Sequence, residues 1–307
     1  MKYLALVSAL VCSAACGDDT SAQDDGDADT SPDASGDASD DGPPLPDATP
    51  GCEPPSLDDP ALRGYLEAAV AELAQTPRYT DTQRQRARTY FVEQLTALGL
   101  TAEIVDFPSG ANVEATLPAT NETADPIIVG AHFDTVPDSP GADDNASGSA
   151  LVLGLARFAV ATPCRRSAVT FIFFDREEEG LFGSRAAAQQ YDPVTTRAVY
   201  TFDQLGYNAD GDSNFELELP TPDLEDQWRD AAMIVGATLS TTNSGNTDHE
   251  SFRNEGYDAV GLSEEYLNGD TTPYYHTEMD TPATLDFGYL TLATKLAAQV
   301  LITAIRE

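Results

Sequence analysis

The run Pro126–Ala131 (PIIVGA) leads directly into His132, Phe133 and Asp134. An imidazole at a strand end can bind a metal ion, and a carboxylate two residues on, Asp134, can take its other ring N–H and fix the tautomer. A surface histidine beside an acid reads the same way. Further on, residues 141–148 (GADDNASG) place Asp143 and Asp144 at a helix start. Capping would use one acid, and the small residues around the pair allow close backbone packing near a ligand. The apolar run Ala168–Phe174 (AVTFIFF) ends in Asp175, Arg176, Glu177, Glu178 and Glu179. Carboxylates crowded at the end of a buried strand raise one another's pKa unless cations sit among them; a solvated charged face is the plain alternative. Asp203 ends another strand-like stretch, and Tyr275-His276-Thr277 puts a second imidazole on a loop. A third, His249, follows Thr247 and Asp248 at a helix start, where simple capping accounts for the pattern equally well.

The elements that must carry these groups alternate between helix and strand. Asp59 and Pro60 precede an amphipathic run to Ala74, and Thr80 can cap a helix from Asp81 to Leu98 that stops at Gly99. Strands are expected at Ala102–Phe107, Asn112–Leu117, Pro126–Ala131, Ala168–Phe174 and Arg197–Phe202, and helices at Ala146–Val160, Leu181–Gln190 and Asp286–Arg306. The pattern predicts an α/β fold, a three-layer α/β/α sandwich with a mixed, mainly parallel central sheet. In such sheets sites gather at the carboxyl ends of the strands.

Charge narrows the partners. The 307 residues hold 52 Asp and Glu against 16 Lys and Arg, a formal charge of −36. Residues 17–50 carry eleven Asp and no Lys or Arg; without that −11 and the single positive charge of Lys2, residues 51–307 retain −26. Such a surface repels phosphate backbones and anionic headgroups, which excludes nucleic acid and a polybasic membrane patch.

Residues 1–15 read as a signal peptide: Lys2, an apolar stretch from Tyr3 to Val11, then small residues before Cys16. Cys16 stands where a lipid would be attached, although Ser13 occupies a position that usually holds Leu; ordinary cleavage and secretion are the alternative. No later segment reads as apolar for long enough to cross a membrane. Residues 16–50 have the composition of a disordered acidic tether, and a catalytic domain is expected over 55–307. Export leaves Cys52 and Cys164 as an even pair in an oxidising compartment, which predicts a disulfide between them.

His132-x-Asp134, GADDNASG, Glu177-Glu178-x-Gly180-Leu181-x-Gly183-Ser184, Asp203 and Tyr275-His276-Thr277-x-x-Asp280-Thr281 resemble, in order and spacing, the co-catalytic di-zinc aminopeptidases of clan MH. The family includes secreted leucyl aminopeptidases, glutamate carboxypeptidases and glutaminyl cyclases, and the resemblance covers about residues 60–307. It implies two Zn2+ per chain, with Asp144 bridging, His132 and Asp203 completing one site, and Glu178 and His276 the other. It implies Glu177 as general base, Glu179 being the spacer before Gly180, and Tyr275 as an oxyanion donor whose loss slows the enzyme without abolishing activity. Asp248 and His249 would support the site from behind. The implied activity is removal of N-terminal residues from peptides with a free N-terminus, favouring a large apolar residue such as Leu. The short domain leaves no room for the inserted domains of larger relatives, so a monomer is expected. A single-zinc glutaminyl cyclase and a non-catalytic binding module of the same fold remain as alternatives.

Overall fold

The computed structural model describes residues 51–307 except Glu122, Asn268 and Gly269; the signal peptide, Cys16 and the acidic stretch 16–50 lie outside the described residues. Strand β3 (Ile127–His132) is buried at all six positions, as is β4 (Val169–Phe174). Strands covered on both faces have no need to alternate apolar with polar residues, which is why both read as unbroken runs. β4 lies parallel to β3 with Val169 opposite Ile127, and β5 (Ala198–Phe202) lies parallel on the other side with Ala198 opposite Ile127.

The remaining strands are β1 (Ala102–Phe107), β2 (Gly110–Leu117), β6 (Asn214–Glu218), β7 (Thr238–Thr242) and β8 (Ala259–Ser263). The sheet order is β1-β2-β4-β3-β5-β8-β6-β7. β1 and β2 form an antiparallel hairpin, β2 is antiparallel to β4 and β6 to β8, and the other neighbours are parallel. The mixed sheet is the one the sequence leads one to expect, but β6, β7 and β8 and helix α5 (Pro222–Val235) were not anticipated. β6 reads NFELE, and glutamates are unfavourable inside strands; here Phe215 and Leu217 enter the main core while Glu216 and Glu218 are buried on the opposite face.

Helices α1 (Leu62–Leu73), α2 (Asp81–Ala97), α3 (Gly148–Ala161), α5 and α7 (Phe287–Ala304) share one core with Val129, Phe171, Phe173 and Tyr200. Helix α4 (Phe182–Gln190) and the short α6 (Asp248–Asn254) cover Ile128, Ile172, Phe174 and Val199 on the other face. Successive strand residues point to opposite faces, so Ile128 and Val129 each find a different helical layer. Thr80 starts α2 with a capping box: its hydroxyl accepts from the Gln83 N–H, and the Gln83 side chain accepts from the Thr80 N–H. One expectation is corrected. α7 is long and apolar enough to cross a membrane, but eleven of its residues are buried, and it packs on α1, α3 and α5 as a core helix.

Cys52 and Cys164, 112 positions apart in the sequence, are joined by a disulfide with Cα atoms 5.5 Å apart. Closing so long a loop restricts the unfolded chain. Replacing both with Ser is expected to lower the unfolding free energy by about 2–4 kcal/mol, read as a lower denaturant midpoint; an unchanged midpoint would show that the bridge contributes nothing.

Candidate metal centre

β4, β3 and β5 are neighbours and parallel, so their carboxyl ends reach the same edge of the sheet. β3 ends in His132, Glu177 and Glu178 stand just beyond β4, and Asp203 directly follows β5. Asp144 comes from the turn at residues 142–147, which delays α3 to Gly148 because Asp144 (φ −105°, ψ 90°) and Asn145 (φ −135°, ψ 50°) are not helical. The Asp144–Asn145 peptide is cis. Gly141 opens the turn at φ +62°, where a Cβ would stand 2.4 Å from the Asp144 carbonyl oxygen. The Asp280 carboxylate accepts the N–H groups of Asp143 (2.8 Å) and Asp144 (3.1 Å).

A residue that the sequence did not mark secures the approach to this turn. The Arg78 side chain, 2% exposed, donates to the carbonyls of Leu73, Phe133, Pro140 and Gly141, and its backbone N–H donates to Thr135. Burial lowers its pKa to about 10, which leaves it charged at neutral pH. Asp175 plays a comparable part at the end of β4. Its carboxylate meets Arg84 at 3.0 Å and Arg88 at 2.8 Å and accepts the Ala111 N–H, tying the strand end to α2 and to the edge hairpin.

The two imidazoles face the two oxygens of one carboxylate. His132 Nε2 lies 3.3 Å from Asp144 Oδ1 and 3.3 Å from Asp203 Oδ1. His276 Nε2 lies 3.2 Å from Asp144 Oδ2 and 2.9 Å from Glu178 Oε2. His132, Asp144 and Asp203 form one group, and Asp144, Glu178 and His276 another; within each, the donor atoms all lie within 4.8 Å of one another. Asp143, the other acid of the pair, turns away and accepts the Gly206 N–H at 2.8 Å.

Asp134 does something other than expected. It stands 3.7 Å from His132 Nδ1, beyond hydrogen-bond reach. Its two oxygens instead accept the backbone N–H groups of Glu177 (2.9 Å) and Glu178 (3.3 Å), fixing the turn that presents both glutamates. Asp248 and His249 belong to neither group. Asp248 is buried, which raises its pKa to about 7. His249 is buried between Thr247 and the Ser244 carbonyl, and burial lowers it to about 4, so it is neutral.

The electrostatics are those of a cation site. Burial raises Glu178 to about 7, with the neighbouring Asp144 adding to the shift. Burial also pushes Glu177 well above its usual range; His132 opposes this, while Asp203, Asp248 and Glu178 reinforce it. Burial would lower His276, yet its bonds to Asp144 and Glu178 outweigh that and raise it to about 10. Asp144 is drawn below the usual carboxylate range because the two imidazoles outweigh its burial. The carboxylates that raise both imidazoles are equally suited to hold a cation. Glu178 Oε1 and His132 Nδ1 are buried with no hydrogen-bond partner among the described residues. Two imidazoles with three carboxylates suit zinc. The acids Asp144, Glu177, Glu178 and Asp203 line a cavity of about 170 Å³ with Tyr275, whose ring stacks on His276 at 3.7 Å.

Comparison with known proteins points to one family. The chain is 32% identical over 174 residues to aminopeptidase YwaD of Bacillus subtilis, covering 51% of this chain and 36% of that protein. It is 31% identical over 207 residues to a probable leucine aminopeptidase of Trichophyton verrucosum (61% and 55%). It is 29% identical over 219 residues to the probable lipoprotein aminopeptidase LpqL of Mycobacterium tuberculosis (61% and 43%). The chain thus spans about a third to a half of the length of these curated relatives. Among solved structures, an aminopeptidase from Aneurinibacillus sp. strain AM-1 superposes with a TM-score of 0.72 at 18% identity, covering 80% of this chain and 94% of that one. BSAP, a zinc aminopeptidase from Bacillus subtilis, gives 0.61 at 26% identity (64% and 51%). Porphyromonas gingivalis glutaminyl cyclase gives 0.65 at 18% identity (81% and 99%). The model of peptidase family M28 matches residues 112–301, a span that holds every residue of both metal-competent groups, and the chain belongs to that family.

Proposed function

We propose that the chain is a zinc-dependent aminopeptidase that removes N-terminal residues from peptides by a two-metal mechanism. The observation that carries this reading is Asp144, whose two oxygens each face a separate imidazole and a separate second carboxylate. Each ion would have two partners of its own, His132 with Asp203 and His276 with Glu178, and would share Asp144, which leaves positions for water and substrate. Zinc bound there would polarise the scissile carbonyl and lower the pKa of a water molecule.

The chain's own groups do the rest. Glu177 takes a proton from the attacking water and delivers it to the leaving amine nitrogen. Its buried, acid-crowded surroundings already favour proton uptake. Asp134 holds the Glu177 and Glu178 backbone so that the base and its neighbour keep their spacing. Burial, with Asp144, Glu178 and Asp203 nearby, keeps the Tyr275 hydroxyl protonated, so it can donate to the carbonyl oxygen as charge develops there. The cluster of acids favours the free ammonium end of a peptide.

The wider reading has residues 1–15 as a signal peptide, Cys16 as a lipid-bearing residue, 16–50 as a tether and 55–307 as a monomeric catalytic domain. LpqL, described as a lipoprotein aminopeptidase, supports the anchor. The fold shared with glutaminyl cyclase makes that activity the specific rival, and two complete ligand pairs favour hydrolysis. Elemental analysis of the full chain alongside aminoacyl-4-nitroanilide hydrolysis tests the reading. About two zinc per chain are expected, with activity lost on chelation, restored by zinc, and absent on N-acetylated substrates. One zinc with cyclisation of glutaminyl peptides would replace the reading, and hydrolysis that survives chelation would remove it.

A further inference from the structure

The cavity beside the metal-competent groups has a second set of walls, formed by Gln204, Glu218, Ser244, Asn246, Thr247 and Ser263, with Tyr266 against Tyr275. No aliphatic side chain lines it among the described residues. The resemblance leads one to expect a pocket for leucine, and such a pocket would be apolar. This one carries a carboxylate.

Glu218 is the last residue of β6, opposite Gly261 of β8, and is 2% exposed. Gly261 makes room for it, since a Cβ there would stand 2.5 Å from Glu218 Oε2. The donors around the carboxylate are the hydroxyls of Thr247, Ser244 and Ser263, and none of them is charged. The His249 Nε2–H donates to the Ser244 carbonyl at 3.1 Å, which leaves Nδ1 as an acceptor. The single hydroxyl proton of Thr247 must then choose between His249 Nδ1 at 2.8 Å and Glu218 Oε2 at 3.2 Å. The shorter contact favours the imidazole. Ser263 reaches Glu218 Oε1 only at 3.4 Å. His249 is the one basic group within 4 Å of Glu218 among the described residues, and it is uncharged there.

We infer that Glu218 determines specificity, and that the cavity accepts the side chain of a cationic N-terminal residue, lysine or arginine, whose charged head supplies the positive partner Glu218 lacks. This rests on the aminopeptidase reading and names its substrate class. Burial raises Glu218 to about 8 in the free protein, and an arriving cation would lower it again, so that its proton passes to solvent and the carboxylate pairs with the cation. An apolar side chain would leave that buried acid and the hydroxyls around it without new partners, which is how a polar site discriminates.

The test compares kcat/KM of the zinc-loaded full chain on 4-nitroanilides of lysine, arginine, norleucine, leucine and Nε-acetyl-lysine. Lysine and norleucine differ chiefly in the ammonium group, and acetylation removes the charge while keeping the chain. Lysine and arginine are expected to exceed norleucine and Nε-acetyl-lysine by about tenfold or more, and Glu218→Gln to lower the lysine-to-norleucine ratio by about tenfold or more. Leucine or norleucine preferred over lysine by the unaltered chain, or a ratio unmoved in a folded Glu218→Gln protein, would overturn the inference alone. No hydrolysis of any of these substrates would overturn the aminopeptidase reading and the inference with it.

Discussion

Glu177→Gln is expected to cut kcat by about 10²–10⁴-fold, the range in which a positioned acid–base group contributes, while zinc content and KM stay near those of the unaltered chain. The amide keeps the size of the side chain, and the backbone N–H that Asp134 holds is untouched. What disappears is the capacity to accept a proton in a cavity otherwise walled by acids that face the two imidazoles. Glu177 stands in neither metal-competent group, so the defect should appear in turnover and not in metal loading. Steady-state kinetics paired with elemental analysis separates the two. Unchanged hydrolysis would refute Glu177 as the base, and lost zinc would make it a ligand.

Asp144→Asn should do more, because this carboxylate is common to both groups. An amide offers one oxygen and no charge, so it cannot face His132 and His276 with equivalent acceptors. Losing an outer hydrogen-bond partner of a metal ligand costs about 10–100-fold in metal affinity, and losing the shared ligand itself should exceed that for both ions. The expected result is fewer than two zinc per chain and no measurable hydrolysis. Retention of both ions with substantial activity would mean that Asp144 is not the bridge. The contrast between the variants is diagnostic: one leaves a loaded, slow protein, the other an unloaded one.

The residues of the two groups were legible because each sits where local sequence already signals an edge: a strand end, a small-residue turn, a Gly-punctuated acidic run. The choice between Asp143 and Asp144 was not local. It is made by Asp280, which holds both N–H groups from 136 and 137 residues away, and by Gly206, which takes the Asp143 carboxylate. The roles of Arg78 and Asp175 were unreadable for the same reason, since all their partners but Leu73 lie 55 to 91 residues distant. The Asp134 assignment failed on geometry: proximity in sequence to His132 implied a bond, yet the carboxylate spans to the next strand's turn. The specificity wall was hidden in β6, whose two glutamates made it look unlike a strand although both are buried in one.

The position of β3, β4 and β5 at the middle of the sheet also has a meaning in time. Amides in the central strands of a fold exchange with solvent only through its largest opening events, so the ends that carry His132 and Asp203 persist for as long as the molecule is folded. His276 is different: it lies on an irregular segment, at φ +58°, with a third of its side chain exposed. Loop segments of this kind open at far lower cost than core strands. The grip of His132 and Asp203 is therefore expected to last as long as the fold, while that of His276 depends on an irregular segment that also carries Tyr275 in the wall of the cavity.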